Sequence, residues 1–455
     1  MMGRQSVPAD SLDPLWLEDH VPADHRLRQL DAILPLDRVR TVLAEHYSHT
    51  GRPSIDPELM LRMLLLGYAY GIRSERRLCR EVHLNLAYRW FCRLGLTGRV
   101  PHHSTFSKNR YRRFQPSGLY RWLFEEVVRQ CQEAGLVGGE GFAVDGTLIE
   151  ADVNPRRHVP SAEELQRAVK PEAVSRPVQA YWDTLNSCVP ETDKPCCSEP
   201  ARISVTDPQA AWCQKHKQAR FGYYANYLIY TQHAVIIGVE ATPARPSQEV
   251  VAARSLLDRV QERQGLQPQR LAADKLYGSG DFLSWLLQRQ VEPHIPVIDR
   301  RAQRKGILTR DAFTYDATRD VFLCPEGKTL TCFTVSPERR HYKAKAEDCR
   351  GCPQKEQCTQ GKEVRRLTRH REEEAREQVR ALQKTDAFRR SARECRKVEM
   401  LFAHLKQQFH FRRLKLRGWA GATEECFLVA TMQNLRRLIR LRPPKVAKAG
   451  LPTVI

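Results

Sequence analysis

The feature that most limits how this chain can fold is a change of hydrophobic period at Gly138-Gly139-Glu140-Gly141. Before it, over residues 56–133, apolar residues recur at helical spacing, first Leu59, Leu61, Met63, Leu64 and Leu66, then Leu78, Val82, Leu84, Leu86 and Trp90. After it, Phe142-Ala143-Val144-Asp145-Gly146-Thr147-Leu148-Ile149-Glu150-Ala151 has the period of two expected of a strand. A helical N-terminal domain is therefore expected over residues 1–137, with a sheet opening behind it. The β-branched and aromatic runs Tyr227-Leu228-Ile229-Tyr230 and Ala234-Val235-Ile236-Ile237-Gly238-Val239 predict two further strands. Helical patterns over 249–264 and 281–290 then alternate with short strands at Arg270-Leu271-Ala272-Ala273 and Pro293-His294-Ile295-Pro296-Val297, as in a mixed α/β layer.

The first part of this α/β domain is expected over 138–299. Residues 154–205, rich in Pro, Ser and charge, interrupt it as an insertion to which no fold is assigned. Residues 300–370 are basic and carry a cysteine cluster. Residues 371–442 return to helix, as one long helix over 371–408 and an amphipathic one over 422–441, and 443–455 form a tail.

The 455-residue chain carries 74 Lys and Arg against 53 Asp and Glu, a formal charge of +21. Such an excess repels itself unless a polyanion offsets it, and it is spread along the chain rather than gathered on one amphipathic helix, so nucleic acid is the expected partner and a membrane surface is not. Asp10, Asp13, Glu18 and Asp19 fall where a signal peptide would need an apolar run, so a cytoplasmic location is expected. The apolar stretch 59–72 contains Arg62 and is shorter than the roughly 20 residues of a membrane span. The 14 cysteines of a cytoplasmic chain are expected to be reduced thiols or metal ligands.

Two basic stretches are candidate DNA contacts. In the first, Ser104 is expected to cap a helix that exposes Lys108, Arg110, Arg112 and Arg113. The second, Arg412-Arg413-Leu414-Lys415-Leu416-Arg417-Gly418-Trp419, combines four cations with an aromatic, as suits contacts to a phosphate backbone. Either stretch also reads as a solvated basic surface.

Phosphodiester cleavage requires a deprotonated water and a stabilised leaving oxygen, and two Mg²⁺ ions about 4 Å apart supply both. Mg²⁺ takes hard oxygen ligands. Asp145 ends the apolar run Phe142-Ala143-Val144, Asp274 ends Leu271-Ala272-Ala273, and Glu399 lies on a helix between Val398 and Met400. Taken singly, each has an ordinary reading as a turn residue, a helix cap or a helix-surface acid.

Jointly, the blocks Val144-Asp145-Gly146-Thr147-Leu148-Ile149-Glu150-Ala151, Ala272-Ala273-Asp274-Lys275-Leu276-Tyr277 and Val398-Glu399-Met400-Leu401-Phe402-Ala403-His404-Leu405-Lys406 resemble the three catalytic blocks of bacterial insertion-sequence transposases of the Asp-Asp-Glu (DDE) class. Residues 56–114 are similar to the helical N-terminal domain of one large subgroup, and Ser204-Val205-Thr206-Asp207-Pro208-Gln209-Ala210 to another of its segments. The resemblance implies a ribonuclease H-like α/β catalytic domain with a mixed sheet, a helical N-terminal DNA-binding domain and a cysteine-rich insertion. It places Asp145 on the first strand, Asp274 after the fourth and Glu399 on a late helix, and implies that the three hold Mg²⁺ or Mn²⁺. Members often carry Tyr and Arg seven and four residues before this Glu, positions occupied here by Ala392 and Cys395. Arg396 is the nearby candidate to grip phosphate, out of register, whereas Lys406 matches.

Cys324, Cys349, Cys352 and Cys358 could satisfy one tetrahedral Zn²⁺, with Cys332 as a competing ligand and incidental thiols as the alternative. The implied activity is binding of an element's terminal repeats in double-stranded DNA, cleavage there and transfer into target DNA, by a dimer or larger assembly on the DNA. Two alternatives stay open: a ribonuclease H-like nuclease that does not join, and a non-catalytic DNA-binding repressor derived from a transposase.

Overall fold

A computed structural model describes residues 1–5, 17–170, 172, 174–187, 202–215, 218–245, 248–298, 308–359 and 364–442. The expected tail over 443–455 and part of the expected insertion over 154–205 lie outside these. The chain divides into two compact units, residues 1–267 with 394–455, and residues 268–393. No described helix is long and apolar enough to cross a membrane.

In the first unit the N-terminal helices form where the apolar period predicts them. Asp56 caps Pro57–Ala69, with Pro at the first turn and nearly every side chain buried. Ser74 caps Glu75–Leu84 and Asn85 caps Leu86–Phe91. Leu119–Glu133 follows Gly118, whose φ of +65° suits glycine.

The sheet of this unit is antiparallel. Gly141–Glu150 pairs with Gln218–Tyr230, which also pairs with Ala211–Lys215 and Val235–Pro243. A bulge interrupts the last pairing at Leu228/Ile229, and the side chain of Asn434 bonds both the N–H and the carbonyl of Ile236, at 2.9 and 2.7 Å. Asn434 lies on Gly418–Leu441, which packs on this strand and on Leu119–Glu133. Helix Gln248–Gln264 also packs on Val235–Pro243, where a Cβ at Gly238 would come within 3.0 Å of Leu256. The expected insertion is not structureless: it contains helices Ala162–Ala168 and Arg176–Ser187, and His158–Val159 pairs with Ile203–Ser204.

In the second unit, Arg270–Ala272 and Glu292–His294 form a parallel pair, the helix Gly280–Gln288 lying between them in sequence. The basic stretch expected only as a cysteine cluster is a five-stranded antiparallel sheet, in the spatial order Arg366–His370, Arg339–Ala344, Thr329–Val335, Val321–Leu323, Thr314–Asp316. Phe313, Phe322, Leu330, Tyr342 and Leu367 form its core. The single long helix expected over 371–408 is two, Glu373–Leu382 and Asp386–Gln407. Thr385 separates them, its hydroxyl accepting the N–H of Phe388 at 3.2 Å. Together the units make a mixed α/β protein, with helices and mixed sheets.

Candidate active site

Asp145 stands in the middle of its strand, opposite Tyr227 in the ladder. Residues directly opposite, and those two apart, share a face of the sheet, so Asp145, Thr147 and Tyr227 point the same way. The Glu399 helix lies on this face: the rings of Tyr227 and Phe402 are 5.0 Å apart, and the Tyr227 hydroxyl donates at 2.9 Å to Gln433, whose amide donates to the Leu401 carbonyl. Lys406 then reaches the strand directly, its Nζ donating to Thr147 Oγ1 at 2.7 Å. Glu399 and Lys406, seven residues apart, fall on one stripe of the helix. One cationic contact therefore links the helix stripe bearing Glu399 to the strand face bearing Asp145.

The helix is fixed upstream as well. Lys397 donates to the carbonyls of Thr231 and Gln232 at 2.7 and 3.1 Å, and Glu394 accepts from the Thr231 hydroxyl at 2.9 Å. Val398, Leu401, Phe402 and Leu405 are buried, whereas Glu399 and Arg396 are exposed. Asp145 is half-buried and one of its oxygens accepts the N–H of Gly146 at 2.7 Å. A Cβ at Gly146 would lie 2.8 Å from Asn226 Oδ1 and 3.1 Å from Glu249 Oε1. Glycine thus leaves room, on the sheet face opposite the one that carries Asp145, for the buried carboxylate of Glu249, which sequence reasoning did not single out. Its position in the first turn of an amphipathic helix was the available sign.

Asp274 belongs to the second unit. It is exposed just beyond Arg270–Ala272 and caps a short turn, one oxygen accepting the N–H of Leu276 at 2.7 Å. Among the described residues no three His, Cys, Asp or Glu side chains are gathered as a metal-ligand set. The donors on the Asp145 face and the Glu399 stripe are carboxylates, the hard oxygens that Mg²⁺ or Mn²⁺ requires.

Several expected DNA contacts are corrected. Ser104 is the first residue of its helix rather than its cap, and His103, in the cap position, makes no side-chain cap. Arg110 is buried and pairs with Glu75 at 2.7 Å, with the buried carboxyl of Glu424 at 3.8 Å. Burial opposes its charge, but Tyr120, Glu75 and Tyr68 more than offset this and hold the guanidinium above its ordinary value. Arg113 is half-buried over the Tyr47 ring and donates to Asn109 at 2.6 Å. The cause is local: Arg110–Phe114 winds as a π-helix, so a face projected at α-helical spacing is displaced. Lys108 and Arg112 remain exposed.

In the second stretch Lys415 turns inward, its Nζ 4.2 Å from the Tyr68 ring centre and 3.4 Å from the Ile72 carbonyl, and burial pushes its pKa down to about 8. Arg413 and Arg417 both pair with Asp152, at 3.1 and 3.2 Å. The backbone bonds Glu150 N to Arg412 O (3.0 Å) and Leu414 N to Glu150 O (2.8 Å) hold this segment along the end of the Asp145 strand. Arg412 is exposed.

Cys324, Cys349 and Cys358 pack against the core of the five-stranded sheet, and with Cys352 they do not form a closed ligand set among the described residues. Burial pushes the Cys358 thiol up, and the other three add to the rise. Cys324 opens a tight turn closed by Gly327, at φ +74°, and its Sγ accepts the N–H of Lys328 at 3.3 Å. Cys332, the competing ligand, instead donates to the Thr334 carbonyl at 3.8 Å.

Two family models match the chain. Residues 15–112, the N-terminal helices, match one described as a transposase domain (DUF772). Residues 323–439 match one described as a transposase DDE domain, a range that takes in the four clustered cysteines, Glu399, Lys406 and most of the last helix. Asp145 and Asp274 lie outside both ranges. Two separate stretches of this chain are thus similar to transposase domains, and together they support its being a DDE transposase.

Proposed function

We propose that this protein binds the ends of an insertion sequence in double-stranded DNA, cleaves there, and joins the freed 3′-hydroxyls to target DNA. Asp145, Asp274 and Glu399 are its metal-holding carboxylates. The observation that carries this reading is the 2.7 Å contact of Lys406 with Thr147, which links the Glu399 stripe to the Asp145 face. Bound Mg²⁺ or Mn²⁺ would activate the attacking oxygen and neutralise the leaving one. Lys406 holds a positive charge on the strand face that bears Asp145, about two helical turns from Glu399, suited to grip a scissile phosphate, and exposed Arg396 on the same helix extends that charge outward. Lys108, Arg112 and Arg412 are the basic side chains best placed to follow the DNA backbone, because the others proposed from sequence have protein partners. Cys324, Cys349, Cys352 and Cys358 would hold a structural Zn²⁺, which would keep the Cys358 thiol ionised against the burial that raises it.

The test is incubation with Mg²⁺, labelled element ends and a target plasmid. Joint molecules are expected from the wild type and none from Asp145→Asn or Glu399→Gln. Nicks without joints would replace the transposase reading by a nuclease. DNA-dependent activities all unchanged in Asp145→Asn would leave a repressor.

A further inference from the structure

The face of the Glu399 helix turned away from Glu399 borders a cavity of about 510 Å³, within the range of about 300–1,000 Å³ typical of ligand sites. Leu401 and His404, which line it, lie about 200° and 140° round the helix from Glu399 at about 100° per residue, and Gln408 follows just beyond the helix end. Arg26, Arg436, Arg437 and Arg440 complete the wall with His404, and among the described residues no carboxylate lines it. These cations crowd one another: the guanidinium of Arg436 is held down first by burial and then by Arg26, and that of Arg437 by burial and then by Arg440. Like charges gathered without an acid cost stability unless an anion answers them. Arg436 is fixed by the Ala69 carbonyl and lies 4.2 Å over the Phe409 ring, and Arg437 is fixed by the His233 carbonyl. Arg26 and Arg440 are exposed at the rim.

The rest of the lining is apolar and aromatic. Leu30, Leu401, Phe409 and Met432 are buried in it, and Tyr70 stands 39 % exposed with Tyr88 tilted against it at 5.1 Å. A rim that is cationic only, around an apolar floor and an exposed ring, fits an anion with a flat apolar body. A duplex backbone would use the charge and leave the floor empty.

We propose that this cavity binds single-stranded DNA, seating one base against Tyr70 and the apolar floor with its flanking phosphates on Arg26 and Arg440. The inference rests on the DNA-binding reading above and adds to it a site on the far side of the helix. Base stacking on aromatic side chains together with a cationic groove is the general means of holding a single strand.

The experiment is fluorescence anisotropy with labelled oligo-deoxythymidine of about 12 nucleotides, with inorganic polyphosphate of matched charge as competitor. The double variant Arg26→Glu/Arg440→Glu and the single variant Tyr70→Ala change exposed residues, and circular dichroism checks that they fold. Wild type is expected to bind the oligonucleotide and to give it up to polyphosphate only at about tenfold excess or more. Each variant is expected to weaken that binding about tenfold, the worth of one stacked base, with binding of a fully paired duplex nearly unchanged. Equal competition by polyphosphate, unaltered binding by either folded variant, or an equal loss on the duplex would overturn the proposal. Duplex binding with no oligonucleotide binding removes this site alone. Absence of both removes the DNA-binding reading itself.

Discussion

Lys406 and Arg110 show how little a basic residue's type says about its role. Both are candidate DNA contacts by sequence, yet Lys406 lies half-buried against Thr147, on the strand face that bears Asp145, and Arg110 is buried near two glutamates. Lys406→Met is therefore expected to lower strand cleavage by about 10²-fold or more, as for loss of a charge-stabilising donor, with little change in duplex affinity. Gel-based cleavage rates alongside binding titrations would check this, and a parallel loss of affinity would count against the role. Glu424 allows a pH prediction. Burial raises its pKa to about 8 from an ordinary 4.5, so the folded state favours the protonated acid. Its contribution to stability is full below about 4.5 and is lost as pH rises through about 8. Glu424→Gln should accordingly raise the melting temperature relative to wild type more at pH 8 than at pH 5. An equal change at both values would show that the carboxylate is not held protonated.

At the scale of elements, the Glu399 helix is positioned by packing and a few side-chain bonds rather than by its own propensity. Tyr227 meets Phe402, Gln433 bridges Tyr227 to the Leu401 carbonyl, and Lys397 grips the turn before Val235–Pro243. The neighbouring Gly418–Leu441 helix serves the bulged strand through Asn434. Asn434→Ala would orphan the buried N–H and carbonyl of Ile236, a loss of about 1–3 kcal/mol in denaturant unfolding. A change below a few tenths of a kcal/mol would mean that the bulge rearranges. How much of this was legible follows from period. Strands such as Gly141–Glu150 and Val235–Pro243 are readable because each carries a run of β-branched, aromatic and other apolar residues. The five-stranded sheet of the second unit is not, because its short strands carry Arg, Lys, Thr and Cys on the exposed face and only one or two core residues apiece. The π-helical turn at Arg110–Phe114 is equally invisible in sequence, since a hydrophobic period assumes regular winding.

At the scale of the whole molecule, the charge of +21 sets the expected solution behaviour. If 6–10 phosphates are engaged, duplex affinity should fall by about 10³–10⁵ between about 50 and 200 mM salt. A shallow salt slope in anisotropy titrations would rule out so extensive a backbone contact. The cysteine cluster gives a second test, zinc content. About one Zn²⁺ per chain is expected after dialysis, and the paired change Cys349→Ser/Cys352→Ser should abolish it and lower thermal stability. An unaltered metal content would eliminate these thiols as ligands.

By itself the sequence determined the alternation of helical and extended segments, the charge that points to a polyanion, and the three acids by their likeness to a known pattern. Those properties are local or additive, so each is carried by the residues that make it. Only the tertiary structure decided which cations face inward, that Lys406 joins the Glu399 stripe to the Asp145 face, that Glu249 lies beside Gly146, and that four arginines line one cavity. These depend on contacts between residues far apart in the chain, and no spacing or composition encodes the side of a helix or strand on which a long basic side chain finds its partner.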